Sequence, residues 1–172
     1  MSIVLIGFMA VGKTSVGTAL TEELKKSDKD YCFIDADKYI EECEKMSVND
    51  IFEKHGEMYF RDKETEALEK MMSDEKIVVA TGGGMPVREK NRELIKKIGN
   101  VVYLRAKADT IVGRVVADTI RPLLKDKSAL YEKVIRMSEE RTPIYESIAD
   151  IIVDVDDRTV KDIVSEIVSK LA

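Results

Sequence analysis

Cysteine, histidine, proline and glycine are all scarce in this chain. Two cysteines and one histidine among 172 residues supply no ligand set with zinc spacing and no base for a Ser-His-Asp triad. Cys32 and Cys43 therefore read as packing residues of a chain working in a reduced compartment, the cytoplasm, and His55 as a loop or helix-end residue. Nine glycines and three prolines exclude collagen-like and low-complexity structure, and a hydrophobic share of 44% excludes disorder. No apolar run reaches the ~18 residues of a membrane span. The opening stretch MSIVLIGFMAVGK has no basic segment before its apolar run and no small-residue cleavage site. The net charge of −5 lacks the concentrated basic face that nucleic acid requires. No apolar stripe stands out for a partner, so a monomer is expected. The length suits one domain at about 150 residues per unit. Such a domain buries roughly 70% of its unfolded surface and needs no covalent staples.

What is present is alternation. Short β-branched runs at Ser2–Ile6, Tyr31–Ile34, Ile77–Ala80, Val101–Leu104 and Ile151–Val153 suit strands buried on both faces of a parallel sheet. Helical spacing fills Val16–Lys25, Lys38–Lys45, Glu64–Met72, Glu89–Ile98, Leu130–Glu140 and Val160–Leu171, with Met71 and Met72 as core fill. The pattern predicts an α/β fold with helices on both sides of the sheet. Met46–Lys63 and Thr119–Ser128 do not fit the alternation. In such sheets ligands gather beyond the carboxyl ends of the strands.

Gly7-Phe8-Met9-Ala10-Val11-Gly12-Lys13-Thr14 follows the first strand and matches G-x-x-x-x-G-K-[ST]. Gly7 and Gly12 let successive N–H groups turn inward on an anion, and the next helix adds its positive end. Lys13 can reach the β- and γ-phosphates, and the Thr14 hydroxyl can ligate Mg²⁺. These features point to nucleoside triphosphate binding and leave the acceptor open.

Other candidates flank further strand ends. Asp35 and Asp37 could divide between the Mg²⁺ shell and a substrate hydroxyl, or one could simply cap the next helix. Arg61 beside Phe60 forms a carboxylate fork that Glu64, three residues on, can orient; a solvated ion pair would look the same. Gly82-Gly83-Gly84 marks close approach of a ligand to backbone. Arg121, in Arg-Pro-Leu-Leu, has the composition of a lid that excludes water, or of a solvated loop. Arg141, among several charges at a helix end, reads alone as a surface cation.

Taken together these motifs resemble shikimate kinase over nearly the whole chain, from Ile3 to Ala172. The resembling parts are the phosphate loop, Asp35/Asp37, Phe60 to Glu64, Gly82–Gly84, Arg121–Leu124 and Arg141–Tyr145. The resemblance implies a single P-loop kinase domain, residues 1–172, with an acceptor insertion at about 38–63 and a lid at about 113–128. It implies the nucleoside-monophosphate-kinase fold, a five-stranded parallel sheet in 2-3-1-4-5 order. Its activity would be transfer from ATP to the 3-hydroxyl of shikimate, a step towards chorismate and the aromatic amino acids. By the same resemblance, Lys13 and the backbone of Ala10, Val11, Gly12, Thr14 and Ser15 would hold the phosphates. Thr14 and Asp35 would hold Mg²⁺, and Asp37 would bind the hydroxyls and accept the proton. Arg61 and Arg141 would clamp the carboxylate, with Gly82, Gly83 and Gly84 beneath the ring and Phe52 and Phe60 walling the pocket. Arg121 would close over ATP and Arg114 would lie against adenine. The family usually has glycine where this chain has Ala10; if that position needs positive φ, alanine costs on the order of 1 kcal/mol. The rivals are another small-metabolite kinase of gluconate kinase type and a silent nucleotide-binding module. Arg61, Gly82–Gly84 and Arg141 together weigh against the first. The complete set of Lys13, Thr14, Asp35, Asp37 and Arg121 weighs against the second.

Overall fold

The β-branched runs become the central layer. In the computed structural model, which describes residues 1–118 and 127–171, five strands form one sheet in the order β2-β3-β1-β4-β5. They are β1 (Ile3–Ile6), β2 (Cys32–Asp35), β3 (Ile77–Ala80), β4 (Asn100–Arg105) and β5 (Ile151–Asp154). Every neighbouring pair is parallel; Val4 stands between Val79 and Val101. All four residues of β1 and of β3 are buried. Covered on both faces, these strands have no polar alternation to show. β2 and β5 are the edges and are only partly covered.

Seven helices connect and cover the strands among the described residues: α1 (Lys13–Leu24), α2 (Ala36–Glu44), α3 (Val48–Met71), α4 (Glu89–Ile98), α5 (Ala108–Asp118), α6 (Lys127–Ile148) and α7 (Val160–Leu171). α4 has Glu89 in its first turn and Lys96 and Lys97 in its last, the charge order that complements the helix dipole. Met46–Lys63, which does not fit the alternation, is helical from Val48 on. Ser47 caps α3 through the Asp50 N–H, and Gly56 breaks the helix with φ 81° and ψ 171°. That break gives the two halves different apolar faces and hides a single period. α5 also escaped the periodic reading, since Gly113 and the β-branched Thr110, Ile111, Val112 and Val115 are weak helix formers. α6 runs on past Glu140 through Pro143, with the Thr142 hydroxyl donating to the Ser138 carbonyl at 2.8 Å.

Two assignments need correction. Cys32 and Cys43 are exposed and do not pack, because β2 is an edge strand and Cys43 lies on a solvent-facing side of α2. Met71 is core, whereas Met72, at the C-cap of α3, is 43% exposed. The polar stretch around Arg121 and Pro122, half of the expected lid, lies outside the described residues.

Candidate active site

The turn from β1 into α1 is shaped by backbone that most side chains resist. A Cβ on Gly7 (φ 147°) would come within 2.5 Å of the Leu104 carbonyl oxygen. Gly12, with φ 96°, is the N-cap of α1. Ala10 has φ 60°, so the conditional strain at that position is present, on the order of 1 kcal/mol. Lys13 folds back over the loop, its Nζ donating to the Gly7 and Phe8 carbonyls at 2.9 and 2.7 Å. Burial brings its pKa down to about 8, while Asp37 and Asp35 pull the other way. The ammonium is therefore held beside two carboxylates, where an anionic phosphate would strengthen its charged form.

Thr14, the first residue after Lys13, donates its hydroxyl to Asp35 Oδ2 at 2.8 Å. Asp35 also caps α2, accepting from the Lys38 N–H at 3.3 Å. One oxygen of Asp35 thus caps the helix, as one of its two readings has it, and the other faces the phosphate loop. Asp37, two residues on, points elsewhere. Its Oδ1 is buried without a hydrogen-bond partner among the described residues. Burial raises its pKa, the neighbouring Asp35 charge raises it further, and Lys13 opposes both. A buried carboxylate oxygen that the protein does not pair can accept a hydrogen bond from a ligand's donor.

The glycines after β3 sharpen the expectation of close approach. A Cβ on Gly82 would lie 2.5 Å from Asp37 Oδ1, and one on Gly84 would lie 2.5 Å from an Arg61 nitrogen. The missing side chains are therefore used by the protein's own acid and arginine, which sit directly on this backbone floor. Arg61 is held by Glu64, whose two oxygens accept from one guanidinium nitrogen at 2.9 and 2.8 Å. Exposed Glu57 takes the other side of the fork at 3.1 and 3.3 Å. Glu64 is fully buried, and burial pushes its carboxyl up to about 7 against the pull of Arg61. Phe60 lies under the guanidinium, 5.7 Å from ring centre to Cζ, and Phe52 packs on Phe60 at 4.8 Å. Arg88 ties the same stretch down, donating to the Arg61 carbonyl, Asp62 and Thr65.

α6 closes the site from the far side. Arg141 sits over the Phe8 ring at 5.5 Å and is near enough to Lys13 to depress its pKa, so it is a site cation and not merely a surface charge. One turn later Tyr145 buries its ring and donates to the Gly83 carbonyl at 2.6 Å. On the other flank of the phosphate loop is a cavity of about 400 Å³ lined by Ala10, Gly12, Ser15, Arg114 and Arg158. Arg114 also donates to the Ala10 and Val11 carbonyls at 3.3 and 3.2 Å, tying α5 to the loop.

Lys13, Thr14, Asp35, Asp37, Arg61, Gly82–Gly84 and Arg141 are thus brought together from separate parts of the chain. Arg121 lies outside the described residues. His55 stacks on Tyr59 at 4.6 Å and is exposed, with no part in the site. The sequence reading had no role for Glu57 and Arg158, and took Tyr145 only as the end of the Arg141–Tyr145 stretch. Glu57 and Tyr145 each stand four residues from an arginine, the spacing of neighbours on one helical face. Arg158 follows a strand end, where the sheet rule would have placed it.

Comparison with known proteins agrees with this geometry. A family model described as shikimate kinase matches residues 9–172. The shikimate kinase of Alkaliphilus oremlandii is 43% identical over 99% of this chain and 98% of its own length. Among solved structures, the shikimate kinase from Acinetobacter baumannii in complex with shikimate has a TM-score of 0.88 and 34% identity, covering 99% of this chain and 92% of that one. A gluconokinase from Sinorhizobium meliloti shares the fold alone, with a TM-score of 0.60 and 23% identity. From the phosphate loop to the last helix, the chain belongs to the shikimate kinase family.

Proposed function

We propose that this protein transfers the γ-phosphoryl group of ATP to the 3-hydroxyl of shikimate, with the residues above in distinct roles. The observation that carries this reading is the orphaned Asp37 oxygen beside the Arg61 fork on a glycine floor. A hydroxylated carboxylate answers both features, donating a hydroxyl to the acid and presenting its own carboxylate to the arginine. A nucleotide acceptor would need more cations for its phosphate and a pocket for its base.

The backbone from Ala10 to Ser15 and Lys13 bind the triphosphate, and Arg114 and Arg158 line the cavity that suits the base. Thr14 and Asp35 offer two hard oxygens already 2.8 Å apart. That donor set fits Mg²⁺, which keeps several waters and takes one or two protein ligands alongside phosphate. When bound, the ion would neutralise charge on the phosphates. Asp37 accepts the proton of the attacking hydroxyl as its oxygen bonds the γ-phosphorus and the bond from that phosphorus to the β–γ bridging oxygen breaks, releasing ADP; its raised pKa suits it to hold that proton. Arg61 and Arg141 fix the acceptor's carboxylate, and Arg121 is assigned to the closing lid by its motif. Residues 38–63, which take in most of α2 and the first part of α3, form the acceptor insertion. No described helix is long and apolar enough to cross a membrane, and a cytoplasmic monomer is the setting we assign.

A coupled ADP-release assay tests the reading with shikimate, gluconate and nucleoside monophosphates as acceptors. Release should require shikimate. Turnover with gluconate or a nucleotide and none with shikimate would overturn it.

A further inference from the structure

We infer that Tyr145 is a positioning residue for the acceptor, its hydroxyl locking the Gly83 peptide on which the carboxylate clamp is assembled. The inference rests on the reading of Arg61 and Arg141 as that clamp.

Tyr145 is 1% exposed, and its ring packs on Tyr103 at 5.1 Å. A tyrosine buried this deeply needs only its ring for packing, and its hydroxyl must find a partner. The partner is the Gly83 carbonyl at 2.6 Å. A carbonyl held in place fixes the plane of the peptide joining Gly83 to Gly84, since that unit is rigid. The Arg61 guanidinium rests on Gly84, so close that a Cβ there would lie 2.5 to 2.7 Å from three of its atoms. A rotation of that peptide would therefore displace the arginine. The same hydroxyl neighbours Arg141, one turn earlier on α6. A single oxygen thus links the floor under one arginine to the helix that carries the other.

The link persists over the whole working range of pH. Burial pushes the Tyr145 hydroxyl up to about 12, against the opposing influence of Arg141, so it remains a donor. Asn91 secures the next turn of the same loop. Its amide donates to the Met85 carbonyl at 3.0 Å while Thr65 donates to its oxygen at 2.7 Å. The floor is thereby anchored at Met85 to α3 and at Gly83 to α6. Each anchor ends on a helix that carries an arginine of the clamp, Thr65 on that of Arg61 and Tyr145 on that of Arg141.

The test is Tyr145→Phe, which keeps the ring and removes the hydroxyl. The KM for shikimate should rise about tenfold, the equivalent of one lost hydrogen bond. The KM for ATP should not change. The KM for shikimate methyl ester, which cannot use the clamp as an ion, should also hold within about twofold. The wild type must first favour shikimate over the ester. A wild type that does not discriminate overturns the clamp itself and this inference with it. A discriminating wild type beside a folded Tyr145→Phe with unchanged shikimate KM overturns the role of Tyr145 alone. An equal rise for ester and acid does the same, since it shows general damage. A second variant, Tyr145→4-aminophenylalanine, keeps a donor at the ring's far end and should restore the shikimate KM. If the phenylalanine variant does not fold, this one decides. Near-normal shikimate KM supports the inference, and a tenfold rise with the donor present overturns it.

Discussion

The phosphate loop and the acceptor pocket meet at Asp37, yet they are built in different ways. The loop is one contiguous stretch between a buried strand and its helix, and its binding groups are mostly backbone. The pocket draws Asp37 from α2, Arg61 from α3, three glycines from the end of β3 and Arg141 from α6. The loop can be transplanted among many enzymes because its geometry is local. The pocket depends on long-range packing, with Glu64 buried under Arg61 and Tyr145 buried against Gly83. The nucleotide half is generic, and the acceptor half makes the chemistry particular.

If that division holds, variants on either side should separate cleanly, and one at the junction should not. Asp37→Asn, at the junction, should produce the largest loss. We expect kcat to fall by at least ~10², the scale of a lost general base or hydroxyl anchor, in steady-state assays at saturating ATP. Near-normal turnover would remove Asp37 from the mechanism. Arg61→Ala comes next and touches one half only. Losing a charge-assisted fork costs about 1.5–3 kcal/mol, so the shikimate KM should rise some ten- to hundredfold. Titration with a non-hydrolysable ATP analogue should find nucleotide affinity intact. Ala10→Gly, on the other half, should have the smallest effect. Relieving φ 60° in the loop should stabilise the folded chain by about 0.5–1 kcal/mol. Thermal unfolding should show the gain, and the KM for shikimate should not move.

The same division explains what could be read in advance. All five strands were legible as short apolar runs, the central ones because burial on both faces leaves no other composition. Lys13 and Thr14 were legible because the loop's spacing is dictated by one local geometry. Arg141 was not legible by itself. Its neighbourhood of Arg136, Glu139 and Glu140 is that of any helix end, and only the fold places it over Phe8. The three glycines announced close approach of a ligand; what the fold itself brings against Gly82 and Gly84 is Asp37 and Arg61, from other helices. Gly56 hid the first half of α3 by changing which side of the helix faces inward. Cys32 and Cys43 misled because composition records how often cysteine is buried, not that β2 is an edge. Even the net charge of −5 proved a statement about the surface, for Lys13, Arg61 and Arg141 gather at one place inside it.

The central claim is that the acceptor half recognises a carboxylate and the nucleotide half does not take part. The measurement that addresses it most directly is the ratio of kcat/KM for shikimate to that for its methyl ester, in the wild type and in Arg61→Ala. A ratio of at least about ten is expected for the wild type, the least that a charge-assisted fork should supply. In the variant it should fall towards one, with the KM for ATP equal in both proteins. A wild-type ratio near one, or a ratio that survives the loss of Arg61, would contradict the account.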